Sequence, residues 1–214
     1  MNAQSAYKFC FNNGRNKEME KIILSDPKYC FEYAENVIGG RWPEAEPVIM
    51  ENAEYSYNYA RCVLNRRFIE AEPVIMEEPE YAYYYSYDII GGRWPEAEEY
   101  IINCPHYSYL YAANIIKGRW REAERNIMEV AEHAYYYAKN IIKGRWIDAE
   151  DSIMKDSYYN SLYALVVLKS VWIEAEEYMN EDCMFKEVYE REFYKGEKLS
   201  NIRMSRDITK LLVF

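Results

Sequence analysis

Histidine and cysteine are scarce in this chain, with two and five copies in 214 residues, and neither has the spacing that metal or redox chemistry requires. Cys10, Cys30, Cys62, Cys104 and Cys183 are odd in number, widely scattered and free of any Cys-x-x-Cys pair, which argues against a disulfide framework and a zinc site. His106 and His133 begin equivalent segments without a third ligand in register, so solvent-facing or capping roles are expected of both. No stretch approaches about eighteen uninterrupted apolar residues. The amino terminus, MNAQSAYKFCFNNGRNKEMEK, has no basic segment leading into an apolar one. The expectation is a soluble, cytoplasmic protein with no membrane partner. Positive charge is also in deficit: 26 Lys and Arg face 36 Asp and Glu, for a formal net charge of -10. Such a field repels phosphate backbones, so direct nucleic-acid binding is not expected. A P-loop, a Gly-x-Gly-x-x-Gly turn, a Gly-x-Ser-x-Gly elbow and a Cys with a positioned His are all missing, so neither an enzyme nor a cofactor is expected.

What the chain has in abundance is tyrosine, 24 residues of it, and a period. The five tryptophans, Trp42, Trp94, Trp120, Trp146 and Trp172, stand 26 residues apart or twice that, with Phe68 in the gap and Asn16 one step earlier. Nine residues before each of these anchors stands a tyrosine: Tyr7, Tyr33, Tyr59, Tyr85, Tyr111, Tyr137 and Tyr163. Three residues after the anchor comes alanine, from Ala45 to Ala175, with Met19 in the first copy. Acidic residues fill the second and fourth places after it in all seven copies. A fixed period between 20 and 50 residues marks a solenoid or an array.

Punctuation within one copy, EPEYAYYYSYDIIGGRWPEAEEYIINC, gives the unit. Asp26-Pro27, Glu78-Pro79 and Cys104-Pro105 place proline where a helix begins. About twelve helical residues follow, with Tyr81, Ala82, Tyr85, Ser86, Ile89 and Ile90 over an arc wider than a single apolar stripe, so the helix is expected to be covered on more than one side. Gly39-Gly40, Gly91-Gly92, Lys117-Gly118 and Lys143-Gly144 end it, glycine being the residue that accepts the left-handed conformation. The anchor then opens a second, shorter helix, in which Pro47 and Pro73 predict a kink or a late start. The fold class predicted is all-α, an α-solenoid of about seven 26-residue helix-turn-helix repeats over residues 2–182. Residues 183–214 are read as leaving the register to form a C-terminal capping helix and tail. That tail ends in Leu211, Leu212, Val213 and Phe214, which either fold back on the array or project as a docking peptide.

Most recurrent residues have an architectural reading. The tryptophans are expected to wedge adjacent helices, and the tyrosines nine residues before them to be core. A second aromatic series, Phe31, Tyr57, Tyr83, Tyr109 and Tyr135, lies about 160° around the helix and suits either the core or an exposed concave binding face. Seven copies of a carboxylate pair argue for architecture over catalysis. Arginines just before the anchor, from Arg15 to Arg145, are placed to pair with one glutamate of each copy; the alternative is a negative stripe imitating nucleic acid in a basic cleft. The partner-binding candidates are Tyr57, Tyr83, Tyr109 and Tyr135 with Glu70, Glu96 and Glu122.

Units such as YAENVIGGRWPEAEPVIM and YAANIIKGRWREAERNIM resemble the tandem Trp-Pro-Glu-Ala-Glu repeats found in proteins of tailed-phage genomes. They are more distantly similar to tetratricopeptide helix pairs, which repeat at 34 residues and not 26. The resemblance implies a small viral protein in the bacterial cytoplasm and brings no functional residues with it. The function expected is protein binding, as an inhibitor or sequestering factor of a host defence protein. The alternatives are an acidic nucleic-acid mimic and a sponge for a small ligand or nucleotide.

Overall fold

The computed structural model describes residues 1–180, 183–195 and 197–199. The chain is all-α: among the described residues there are helices and turns and no strand. It divides into two compact units, Met1–Ile116 and Lys117–Phe214. Each is a helical-repeat stack, an α-solenoid of paired helices. In the first unit the longer helices begin at Ala3, Pro27, Ala53, Pro79 and Pro105 and pack side by side, with the shorter helices between them in sequence. In the second, the helices beginning at Ala131, Ser157 and Met184 pack in the same way.

Proline or a capping side chain starts six of the long helices, those beginning at Ala3, Pro27, Ala53, Pro79, Pro105 and Ser157. Asp26 accepts the N–H groups of Lys28 and Tyr29, and Asn52 that of Tyr55, so donors orphaned at the first turn are satisfied. In six of the long helices, those beginning at Pro27, Ala53, Pro79, Pro105, Ala131 and Ser157, the second half departs from the sequence reading. After two α-helical turns, as in Pro79–Tyr85, the backbone widens into a π-helix, here Ser86–Ile90. The same change occurs at Ala34–Ile38, Tyr59–Leu64, Ala112–Ile116, Ala138–Ile142 and Tyr163–Leu168. The apolar pairs Tyr81-Ala82, Tyr85-Ser86 and Ile89-Ile90 recur every four residues, which drifts about 40° per step on an α-helix. Extra residues per turn cancel that drift. Ala82, Tyr85 and Ser86 are buried and the two isoleucines half-buried, and Tyr83 on the other side of the helix is buried as well, so the helix is covered on more than one side as expected.

The helix ends also correct the sequence reading. Gly39 and Gly91 are left-handed (φ 68° and 69°), but the equivalent residue is Asn65, Lys117, Lys143 or Lys169 elsewhere, with φ between 51° and 59°. The glycines Gly118 and Gly144 come one residue too late to serve. In the copies containing Pro47 and Pro73 the short helix opens with a 3-10 turn, Pro43–Ala45 or Ile69–Ala71, before becoming α-helical, which matches a late start. Proline is not its sole cause, because Ile147–Ala149 does the same where the equivalent residue is Asp151.

Nor does the register stop at residue 182. Met184–Tyr194 is an eighth long helix, with Tyr189 standing 26 residues after Tyr163 and the left-handed Lys195 26 after Lys169. The terminal Leu-Leu-Val-Phe lies outside the described residues.

Candidate functional site

The repeated residues build a single linkage that recurs along each unit. Every anchor ring is buried, at 2–3% exposure, and Trp42, Phe68, Trp94, Trp146 and Trp172 pack on the tyrosine of their own copy, Tyr33 on Trp42 at 4.8 Å and Tyr85 on Trp94 at 5.1 Å between centroids. The anchor's backbone N–H donates to the tyrosine hydroxyl of the next copy: Trp42 to Tyr59 (2.7 Å), Phe68 to Tyr85 (2.7 Å), Trp120 to Tyr137 (2.8 Å). That hydroxyl in turn donates to the glutamate four residues past the anchor, Tyr85 to Glu72 at 2.9 Å and Tyr137 to Glu124 at 3.0 Å. The arginine before the anchor closes the set with a two-pronged contact; Arg67 reaches both Glu72 oxygens at 2.6 and 2.7 Å. Burial raises the tyrosine pKa values, those of Tyr59 and Tyr163 to about 12, so the phenols stay protonated donors. In the seventh copy Val171 replaces the arginine, and Glu176 is met by the hydroxyls of Tyr189 and Tyr194.

This linkage decides the reading of the carboxylates. The glutamates at the fourth place, Glu20, Glu46, Glu72, Glu98, Glu124 and Glu150, are paired with their arginines inside each copy. Of the two carboxylates in each pair, the one at the second place, including Glu70, Glu96 and Glu122, is the exposed one. A stripe of alternating pairs is therefore reduced to one carboxylate per copy.

The second aromatic series is largely covered: Tyr57 is 5% exposed, Tyr83 6% and Tyr135 2%, with Phe31 and Tyr109 half-buried. Two of its members reach a common feature. Tyr57 and Tyr83 line a groove of about 590 Å³ in the first unit, together with Tyr81, Tyr84 and Tyr87. Tyr84 and Tyr87 are exposed, at 36% and 55%. The rings touch in a connected set, Tyr57 stacked with Tyr84 at 6.0 Å and Tyr83 with Tyr87 at 6.2 Å. Polar groups fix them. Tyr57 donates its hydroxyl to Asp88, Arg61 contacts Asp88 at 3.8 Å and donates to the Tyr57 hydroxyl at 3.4 Å, and the Asn114 amide donates to Tyr83 at 2.8 Å. Burial, and then the Asp88 carboxylate, push the Tyr57 phenol well above its ordinary range. Glu54 and Asn58 complete the lining.

Of the residues singled out from sequence, the structure brings Tyr57 and Tyr83 together. Tyr109 is not among the lining residues, Tyr135 belongs to the other unit, and Glu70, Glu96 and Glu122 stand at the starts of short helices away from the groove lining. Sequence reasoning missed Tyr84, Tyr87, Arg61 and Asp88. Their signal was irregularity. Ten residues before the anchor the copies read Glu32, Asn58, Tyr84, Leu110, Tyr136 and Leu162, and seven before it Glu35, Arg61, Tyr87, Ala113, Lys139 and Leu165. Positions that vary between copies of one scaffold are those the scaffold does not need.

Among the described residues no group of His, Cys, Asp and Glu could hold a metal ion, and no helix is long and apolar enough to cross a membrane. The five cysteines are free thiols; Cys30 is buried and its pKa is raised by that burial to about 12. No family model, no curated protein and no solved structure matches the chain.

Proposed function

We propose that this chain is a non-enzymatic repeat protein that binds another protein through the tyrosine groove of its first unit. The observation that carries the reading is the exposure of Tyr84 and Tyr87 at the mouth of a groove of about 590 Å³, beside rings held by Asp88, Arg61 and Asn114. Folding alone gives no reason to leave two large rings there in contact with water, whereas tyrosine is favoured at protein interfaces because its ring is rigid and carries a polar tip. The rest of the repeat is architectural, and recognition falls to the positions at which copies differ.

With the resemblance to the Trp-Pro-Glu-Ala-Glu repeats of tailed-phage proteins, the partner fits a host protein in the bacterial cytoplasm, bound so as to sequester or inhibit it, a defence protein being the first candidate. The nucleic-acid-mimic alternative is weakened by the internal arginine partners of six fourth-place glutamates. The test is affinity capture from host cells with the wild-type chain and with a Tyr84→Ala/Tyr87→Ala variant of unchanged circular dichroism. A partner retained by the first and lost by the second is expected. Equal retention by both, or substrate turnover by the purified chain, would overturn the reading.

A further inference from the structure

Copies of the long helix cover the Tyr57/Tyr83/Tyr135 series in different ways. In the second unit Lys139, four residues after Tyr135, sets its ammonium 5.6 Å from the centroid of that ring. In the first unit Arg61, four residues after Tyr57, donates to its hydroxyl. At the same place after Tyr83 the residue is Tyr87, whose ring stacks on Tyr83 and remains 55% exposed. The chain thus places a cation against this aromatic series in two copies, over the ring of Tyr135 and at the hydroxyl of Tyr57, and in the copy at the middle of the groove it places another ring.

We propose that the groove takes a cationic side chain, lysine or arginine, from an extended basic segment of the protein partner, held over the faces of Tyr83, Tyr84 and Tyr87 and beside Glu54 and Asp88. This rests on the protein-binding reading above and names the chemistry of the partner. The ring faces carry negative quadrupoles that attract a cation within about 6 Å of the centroid, and the attraction grows when water is excluded. Charge at the lining agrees: it holds two carboxylates, Glu54 and Asp88, and one guanidinium, Arg61, and Arg61 and Asp88 already engage each other and the Tyr57 hydroxyl, which leaves a net negative charge. A formal charge of -10 on the whole chain speeds the approach of a basic segment. The volume of about 590 Å³ lies within the range of about 300–1,000 Å³ usual for specific pockets. Its lining comes from three successive long helices, which suits a segment that runs across them.

The experiment is fluorescence anisotropy of the intact chain with a labelled nonapeptide alternating arginine and glycine, at about 0.15 M salt to suppress long-range attraction. A second probe carries citrulline, the neutral near-isostere, at every arginine, and a third is a proline nonapeptide. The expected result is saturable binding of the arginine peptide, at least roughly tenfold weaker binding of the citrulline peptide, and a similar loss in Tyr84→Leu/Tyr87→Leu, which keeps net charge. Glu70→Gln/Glu96→Gln, which removes two charges outside the groove lining, should change affinity by less than about threefold. Equal binding of citrulline or proline peptides would show that the occupant is not a cation. Insensitivity to the tyrosine changes would show diffuse attraction instead of a site. If no basic peptide binds while partner capture still requires Tyr84 and Tyr87, the cationic occupant is wrong and the docking surface stands; if capture is also indifferent to those rings, both readings fall.

Discussion

The hydroxyl of Tyr85 accepts the backbone N–H of Phe68 at 2.7 Å and donates to Glu72 at 2.9 Å, so one phenol joins the start of a short helix to the long helix after it. Phe68 supplies no side-chain cap, and its amide is met from outside. Tyr85→Phe therefore leaves a buried donor unmet and removes one partner of a buried carboxylate. The expected cost is about 1–3 kcal/mol, read as a lowered urea midpoint with unchanged slope. The same change at exposed Tyr87 should shift the midpoint by less than about 0.5 kcal/mol.

Trp94 and Trp120 are 2% and 3% exposed, and Trp94 packs against Tyr85. Trp94→Ala or Trp120→Ala should each cost about 3–5 kcal/mol through lost transfer energy and a residual cavity. Thermal unfolding followed at 222 nm measures it. An unaltered midpoint would mean that these rings do not support the stack.

Lys117, Lys143 and Lys169 hold left-handed backbone (φ 56°, 59° and 53°) at places where Gly39 and Gly91 stand in other copies. A residue with a Cβ is strained there and glycine is not, and relief of that strain outweighs glycine's greater unfolded-state freedom. Lys143→Gly should stabilise by about 1 kcal/mol, whereas Gly91→Lys should destabilise by a similar amount. Opposite shifts in a pair of chemical melts are the expected signature.

Stability should fall at both ends of the pH scale. Tyr59 and Tyr163 are raised to about 12 by burial, while an unfolded tyrosine titrates near about 10. A raised folded pKa gives a contribution fully present below about pH 10 and lost as pH climbs through 12. Glu46 and Glu124 are lowered chiefly by their hydrogen bonds from Arg41 and Arg119, with burial opposing. Their contribution is present above the unfolded value of about 4.3 and disappears as pH drops below it. Denaturant midpoints across a pH series, with phenolate absorbance at 295 nm, check both limbs; midpoints that stay constant to pH 12 would contradict the buried-phenol linkage.

The period, the helix pairs, the buried anchors and the arginine–glutamate pairing were legible because each copy repeats the same packing problem and solves it with the same residues. The π-helical half of six long helices is not legible from an α-helical period, because the same four-residue spacing runs through the α-helical Tyr81–Tyr85 step and the widened Tyr85–Ile89 step. The lysines at left-handed positions escaped notice because a neighbouring glycine offered an easier explanation. Tyr189 was overlooked where the tryptophan failed to recur, though it stands 17 residues after Trp172 as Tyr163 does after Trp146. The groove was only half visible. Repetition favours Tyr109, Tyr135 and the second-place glutamates, while Tyr87 differs from all its counterparts and Tyr84 is matched only by Tyr136, so neither carries a regular periodic signal.

The phenol-to-amide linkage always points the same way: a copy's anchor amide is satisfied by the copy after it, never by the one before. Shortening the array from its amino end leaves the first retained phenol without the amide it accepted from, as Tyr59 would be without Trp42, but strands no amide donor. Trimming from the carboxyl end strands a donor at the new boundary. During synthesis each anchor must wait for the seventeenth residue after it to leave the ribosome before its corner closes, so consolidation trails translation by a constant lag.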